Sequence, residues 1–136
     1  MSACPHEYLL HGSCVDVSVA LTPHASPVVG GEKVVFATSE RWLALISIPR
    51  TTNEDFEYGF VNGVPYVREA RPGASKLLNV SGFIHTVDGS LFASDQRVGM
   101  RAHEFVRRDV VPILTTEFVT NVADELRALG IEVQPR

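Results

Sequence analysis

"KVVFATSERWLALISIP", residues 33–49, decides the fold class. Its first five residues are rich in β-branched and aromatic side chains, which suit a pleated, half-buried surface, so 33–37 is read as a strand. Ser39 then offers a hydroxyl to cap a helix. Glu40 follows in the first turn, where a negative charge meets the helix dipole. Trp42, Leu45 and Ile46 recur at i, i+3 and i+4 and would share one buried face. Pro49 has no amide hydrogen and stops the helix. Elsewhere in the chain, strands do not alternate regularly with helices, which argues against a parallel doubly wound sheet and for α+β.

Upstream, "EYLLHGSC" (7–14) begins as an apolar strand over 7–12 and ends in His11, Gly12 and Ser13. Residues 13–31 contain Pro23, Pro27, Gly30 and Gly31 and read mostly as loop. Downstream, 50–75 are mixed, with VPYVRE (64–69) a strand candidate. LLNVSGFIHTV (77–87) reads as a strand with a bulge or break near Gly82. Residues 88–101 read as polar loop. HEFVRR (103–108) and VVPILTTEFV (110–119) favour strand, with Pro112 at an edge or bulge. Asn121 caps a last helix, with Asp124 at N3 as in a capping box. Val122, Leu126 and Leu129 lie on its inner face, Gly130 ends it, and 131–133 returns as a short strand. No Pro/Gly/Ser linker divides the chain. Residues 1–136 are therefore expected to form one α+β domain of twisted, mainly antiparallel or mixed sheets with two short helices.

The 136 residues are 45% hydrophobic and 21% charged, enough to bury a core without staples. The net charge of −4 argues against general affinity for nucleic acid or an anionic membrane. Local basic clusters remain, at Arg68 and Arg71 and at Arg101, Arg107 and Arg108. Cys4 and Cys14 have no CxxC spacing and read as free thiols in a reducing cytosol. No leader is apparent, and no apolar run approaches the roughly 20 residues of a membrane-spanning helix, so a cytoplasmic protein is expected.

Most familiar chemistries find no motif. The five histidines, His6, His11, His24, His85 and His103, show no HxH or HxxxH spacing, so no metal is expected. Ser13 beside His11 lacks a G-x-S-x-G elbow, and Gly30-Gly31 is a turn rather than a phosphate cradle. Three segments remain: His11-Gly12 at the end of one strand, Val35-Phe36-Ala37-Thr38 at the end of another, and Glu104 at the start of a third. On spacing alone, Glu104 reads equally as a solvated residue, and His11 as a histidine satisfied within the fold.

Together the three segments resemble ADP-ribosyltransferases of the histidine–tyrosine–glutamate class, the diphtheria-toxin and poly(ADP-ribose) polymerase lineage. YLLHGS is similar to the first motif, an apolar strand ending in His-Gly-Ser or His-Gly-Thr. GGEKVVFATSERWLAL resembles the second, a strand ending in Tyr-Phe-Ala before a helix. HEFVRRDVVPI resembles the third, opened by the catalytic glutamate. The short rifamycin-modifying ADP-ribosyltransferases are similar in size and end in a helix resembling ELRALGIEV. The family's second-motif tyrosine falls on Val35, with Phe36 beside it. Phe36 would supply the stacking face if the register moved by one, and Tyr58 or Tyr66 would contribute from the middle loop.

The resemblance implies a compact fold with a central cleft for NAD. Gly12 would meet the nicotinamide carboxamide through its backbone, Ser13 would help position the nicotinamide ribose, and His11 would donate to a ribose hydroxyl of the adenosine half. Val35 and Phe36 would wall the nicotinamide. Glu104 would be the catalytic residue, stabilising positive charge on the ribose as nicotinamide leaves. The acceptor is open between a protein, a small molecule and a nucleic acid, the last disfavoured by net charge. Residues 50–75 and 88–102 would face it. The alternatives are a degenerate relative that binds a nucleotide or protein partner without catalysis, and a related NAD-using enzyme such as an RNA 2′-phosphotransferase.

Overall fold

The computed structural model describes residues 2–100 and 102–136. Arg101 of the expected basic cluster lies outside them. In chain order the strands are β1 (Ser2–Ala3), β2 (Tyr8–Ser13), β3 (Ala20–Leu21), β4 (His24–Ala25), β5 (Lys33–Thr38), β6 (Phe56–Val61), β7 (Val64–Glu69), β8 (Gly82–Asp88), β9 (Ala93–Ser94), β10 (Glu104–Arg107), β11 (Val111–Pro112), β12 (Thr115–Val119) and β13 (Val133–Gln134). Helix α1 (Arg41–Ile46) follows β5, and α2 (Val122–Ala128) follows β12. The fold is α+β. Its main sheet runs β1-β9-β10-β5-β2-β8-β12, all antiparallel, with β4 also on β5. A second sheet has the order β13-β7-β6, in which β13 pairs parallel to β7. Among the described residues, no helix is long and apolar enough to cross a membrane.

The division of β5 positions the site. On one edge, β10 pairs with its residues 35–38. β2 meets it only at Leu10 and Thr38 and then diverges, and β4 takes only Lys33 and Val34. The strands therefore splay beside Val35-Phe36-Ala37, and His11 crosses the gap by a side-chain hydrogen bond, Nδ1 to the Phe36 carbonyl at 2.6 Å.

Helix α1 is held by burial rather than by its ends. Trp42 through Ile46 are all buried, in a core with Ile48, Phe56, Leu78 and Leu126. Each large apolar side chain so buried contributes about 1.5–3 kcal/mol. Ser39 is not the cap. The N-cap is Glu40, which makes no side-chain capping bond, and Thr38 Oγ1 accepts the Glu40 amide at 3.0 Å instead. A hydroxyl one residue earlier does the work because Thr38 also donates to the His103 carbonyl at 2.6 Å.

Two glycines let α1 and the turn after it press onto the sheet. A Cβ on Gly12 would lie 1.9 Å from the Ala44 carbonyl oxygen, and one on Gly82 would lie 2.3 Å from Ile48 Cγ2. The break expected near Gly82 is thus the start of β8, into whose bare backbone Ile48 fits. Residues 74–78 before it form a 3₁₀ turn rather than strand.

Other departures have local causes. The middle segment is a hairpin, β6 with β7, closed by Asn62 and Gly63 at φ 51° and 78°. Positive φ at both positions is the type I′ geometry that Asn-Gly supplies. The stretch 110–119 divides into β11 and β12, with Pro112 on the two-stranded β11–β3 edge as its missing amide requires. Leu129 is exposed rather than on the inner face of α2, because the helix ends at Ala128. The Asn121 cap is as read: its side chain accepts from the Asp124 amide at 3.0 Å. Both cysteines are free.

Candidate functional site

A cavity of about 580 Å³ opens where β2 leaves β5, lined by His11, Gly12, Phe36, Thr38, Tyr58, Met100 and Glu104, among others. Its volume lies in the range of small-molecule sites. The pleat decides who faces it. Glu104 pairs with Thr38 and Val106 with Phe36, so Glu104, Thr38 and Phe36 share one face of the sheet. Val35 points to the other face, 2% exposed, in the core with Leu9, Val87 and Phe105. The aromatic wall beside Glu104 is therefore Phe36. Val35 reaches only a second cavity behind it.

Glu104 is fixed by its backbone. Its amide and that of His103 both donate to the Met100 carbonyl at 2.8 Å, while the His103 carbonyl accepts from the Ser39 amide and the Thr38 hydroxyl. The imidazole of His103 packs on Phe60, with ring centroids 4.6 Å apart. The Glu104 carboxylate makes no hydrogen bond or ion pair among the described residues, and burial raises its pKa. Tyr58, on β6, is carried to the same cavity by the hairpin and braced edge-on against Trp42. Its phenol is pushed up first by burial and then by the Glu104 charge. A partly desolvated carboxylate with no partner among the described residues is costly to the fold and useful to a site where positive charge appears.

His11 lies at the junction of the two cavities. A carbonyl only accepts, so Nδ1 carries the hydrogen in the bond to Phe36. Burial lowers the His11 pKa, against the opposing effect of that bond, and nearby His85 and His24 lower it further. The ring is held neutral, and Nε2 is left as an acceptor. The resemblance implies a donor at His11; in this tautomer Nε2 has no hydrogen to donate and can only accept.

Gly12 borders both cavities, but its lack of a side chain is already required by Ala44. Ser13 borders the second cavity only, and its Oγ accepts the Val15 amide at 3.2 Å. The second cavity, about 420 Å³, shares His11, Gly12, Phe36 and Ser47 with the first and extends along β4 past His24 to Arg50. Tyr66 lies away from both, bonded to Glu57 at 3.2 Å.

Sequence patterns left Arg50 out of the site and gave Tyr58 only as an alternative to Tyr66. Arg50 follows the helix-stopping Pro49 in a segment with no motif. Tyr58 was placed only loosely, although Val61-Asn62-Gly63-Val64 carries the hairpin signal that puts it on a strand. Arg107 and Arg108 are tied up elsewhere: Arg108 bonds Glu32 at 2.5 Å and Asp95 at 3.1 Å, and Arg107 bonds the Leu91 carbonyl at 3.2 Å.

No family model matches the sequence, and no curated protein or solved structure matches it either.

Proposed function

We propose that the protein is an NAD-dependent mono-ADP-ribosyltransferase, moving ADP-ribose from NAD to an acceptor and releasing nicotinamide. One observation carries the reading. Residues from the three segments that resemble the family's motifs, His11 with Gly12, Phe36 and Glu104, line a single cavity around a half-buried carboxylate that has no partner among the described residues. The residues fit the substrate. The nicotinamide ring of NAD is a flat cation, and the cavity offers it the aromatic Phe36 and Tyr58 and the negative charge of Glu104.

Each side chain then has a task. His11 Nε2 accepts from a ribose hydroxyl, while its bond to Phe36 fixes the ring. Glu104 accepts from the 2′-hydroxyl of the nicotinamide ribose. When the bond between C1′ and the ring nitrogen breaks, its electron pair leaves with nicotinamide and positive charge spreads over the ribose. The preorganised Glu104 carboxylate stabilises that charge as it develops. The incoming acceptor bonds to C1′ and gives its proton to Glu104, whose raised pKa suits a general base.

The test is nicotinamide release from NAD, with Glu104→Ala as control. The reading predicts release that the substitution lowers by about 100-fold or more. No release, together with no NAD binding by calorimetry, would overturn it. The second reading is a domain that binds the dinucleotide without turning it over. It is favoured by Val35, which stands in the family's tyrosine position and faces the core, and it predicts binding without release.

A further inference from the structure

Among the nine arginines in the described residues, eight hold a carboxylate or a backbone carbonyl; Arg50 makes no hydrogen bond or ion pair. It is also placed with care. Pro49 precedes it, and the Thr51 amide returns to the Pro49 carbonyl at 2.9 Å, a three-residue turn with Arg50 at its apex. The turn sets Arg50 on the wall shared by the second cavity and a third of about 370 Å³. No aspartate or glutamate among the described residues lines either one, although the chain carries 16 acidic residues. Asp16 is flanked by two lining residues but is not itself on the wall. Among the described residues, Arg50 is thus the only formal charge on the second and third cavities, as Glu104 is on the first.

The three cavities are neighbours with shared walls. The first and second share His11, Gly12, Phe36 and Ser47, and the second and third share Cys14, Ile48 and Arg50. The third is a mainly apolar slot between Pro49, Leu77 and Val80. Its chemistry suits a flat, neutral ring, whereas the second combines a guanidinium with the small polar side chains of Ser13 and Ser26.

We propose that the second cavity is an anion subsite in which Arg50 holds the diphosphate of the dinucleotide, so that the substrate lies with nicotinamide at Glu104, phosphates at Arg50 and adenine in the slot beyond. The orientation rests on the NAD reading of the first cavity, but the anion subsite does not. Guanidinium is suited to the task because its planar fork of donors matches phosphate oxygens in pairs, while a lysine supplies only a point charge. Arg50 is exposed and unpartnered, so replacing it leaves the fold intact.

Calorimetric titration of the full chain with inorganic diphosphate, ADP-ribose and adenosine separates the two claims. Arg50→Ala is expected to weaken diphosphate and ADP-ribose at least tenfold, with adenosine changed less than twofold. Arg50→Lys should restore part of the loss. Arg127→Ala, an equal change of charge on a remote surface, should leave all three affinities unchanged. If nicotinamide release is measured, Arg50→Ala should raise KM with kcat kept. Equal affinity of wild type and Arg50→Ala for both phosphate ligands would overturn the subsite, as would an equal loss in Arg127→Ala. Arg50-dependent binding of diphosphate in a protein that never binds NAD would sustain the subsite and sink the NAD reading alone.

Discussion

The two cavities that meet at His11 share four residues yet are opposite in charge. The first is built on paired strands and ends in a half-buried carboxylate that nothing in the described residues neutralises. The second lies in the splay between strands and ends in an exposed guanidinium, equally unpartnered. The other arginines of the described residues are held closely, as where Arg97 bonds Asp95 at 2.7 Å and Glu32 at 2.9 Å, and where Arg41 bonds Glu117 at 2.7 Å. Charges of opposite sign on two cavities with a common wall match a ligand that is cationic at one end and anionic further along.

If that contrast is functional, the largest effect falls at the buried end. Glu104→Gln keeps the size of the side chain and removes its charge. It should lower nicotinamide release by about 100-fold or more, with a much smaller loss of NAD affinity measured by calorimetry, since the charge on the ribose develops only in the transition state. A parallel loss of binding would mean that Glu104 organises the cavity rather than the transition state.

Next in size is the structural seam between the cavities. Gly12→Ala forces a methyl group onto the Ala44 carbonyl, and overpacking of this kind costs about 1–3 kcal/mol. Chemical denaturation should show that loss. A neutral result would mean that α1 is free to move off β2 and that the glycine is kept for a ligand.

A smaller effect carries the sharper information. Phe36→Tyr adds a hydroxyl to the wall facing Glu104, whereas Val35→Tyr forces a large ring into the core. The register predicts that Phe36→Tyr folds with activity within a few-fold of the wild type. Val35→Tyr should lose about 1–3 kcal/mol of stability. The reverse outcome would contradict the assignment of faces on β5.

The smallest effects are in stability against pH, and they differ in sign. Burial raises the Glu104 pKa, so the folded state binds this proton more tightly than the unfolded state does. The stabilisation is present below the ordinary glutamate value and is lost as pH rises through the raised one. Glu104→Gln should therefore increase Tm at pH 8 and not at pH 4. Burial lowers the pKa of His11 and His85, so their contribution is full above the ordinary histidine value of 6.5 and is lost as pH falls below it. His11→Gln should reduce that acid sensitivity. Thermal melts across this range measure both slopes.

The strand-to-helix transition at 33–49 was legible because β-branched residues and a following apolar run state both elements locally. The caps were less so, since Ser39 and Thr38 are equally able to accept an amide and only the distant His103 carbonyl selects Thr38. The hairpin at 56–69 was legible in Asn62-Gly63 and was underread. Of the site, Glu104 and His11 emerged from three short segments, but the face of Val35 and Phe36 depends on pairing with β10, which no local pattern encodes. Arg50 has no signature at all. Its importance lies in what fails to pair with it, a property of the assembled surface. The tautomer of His11 likewise follows from one carbonyl 25 residues away.

The most direct test of the central claim is a crystal structure of Glu104→Gln with NAD bound. The account predicts the dinucleotide intact along the cleft, with the nicotinamide ring against Phe36 beside residue 104, a ribose hydroxyl on His11 Nε2, and the diphosphate at Arg50. Density for NAD outside the cleft, or with its nicotinamide away from residue 104, would contradict it.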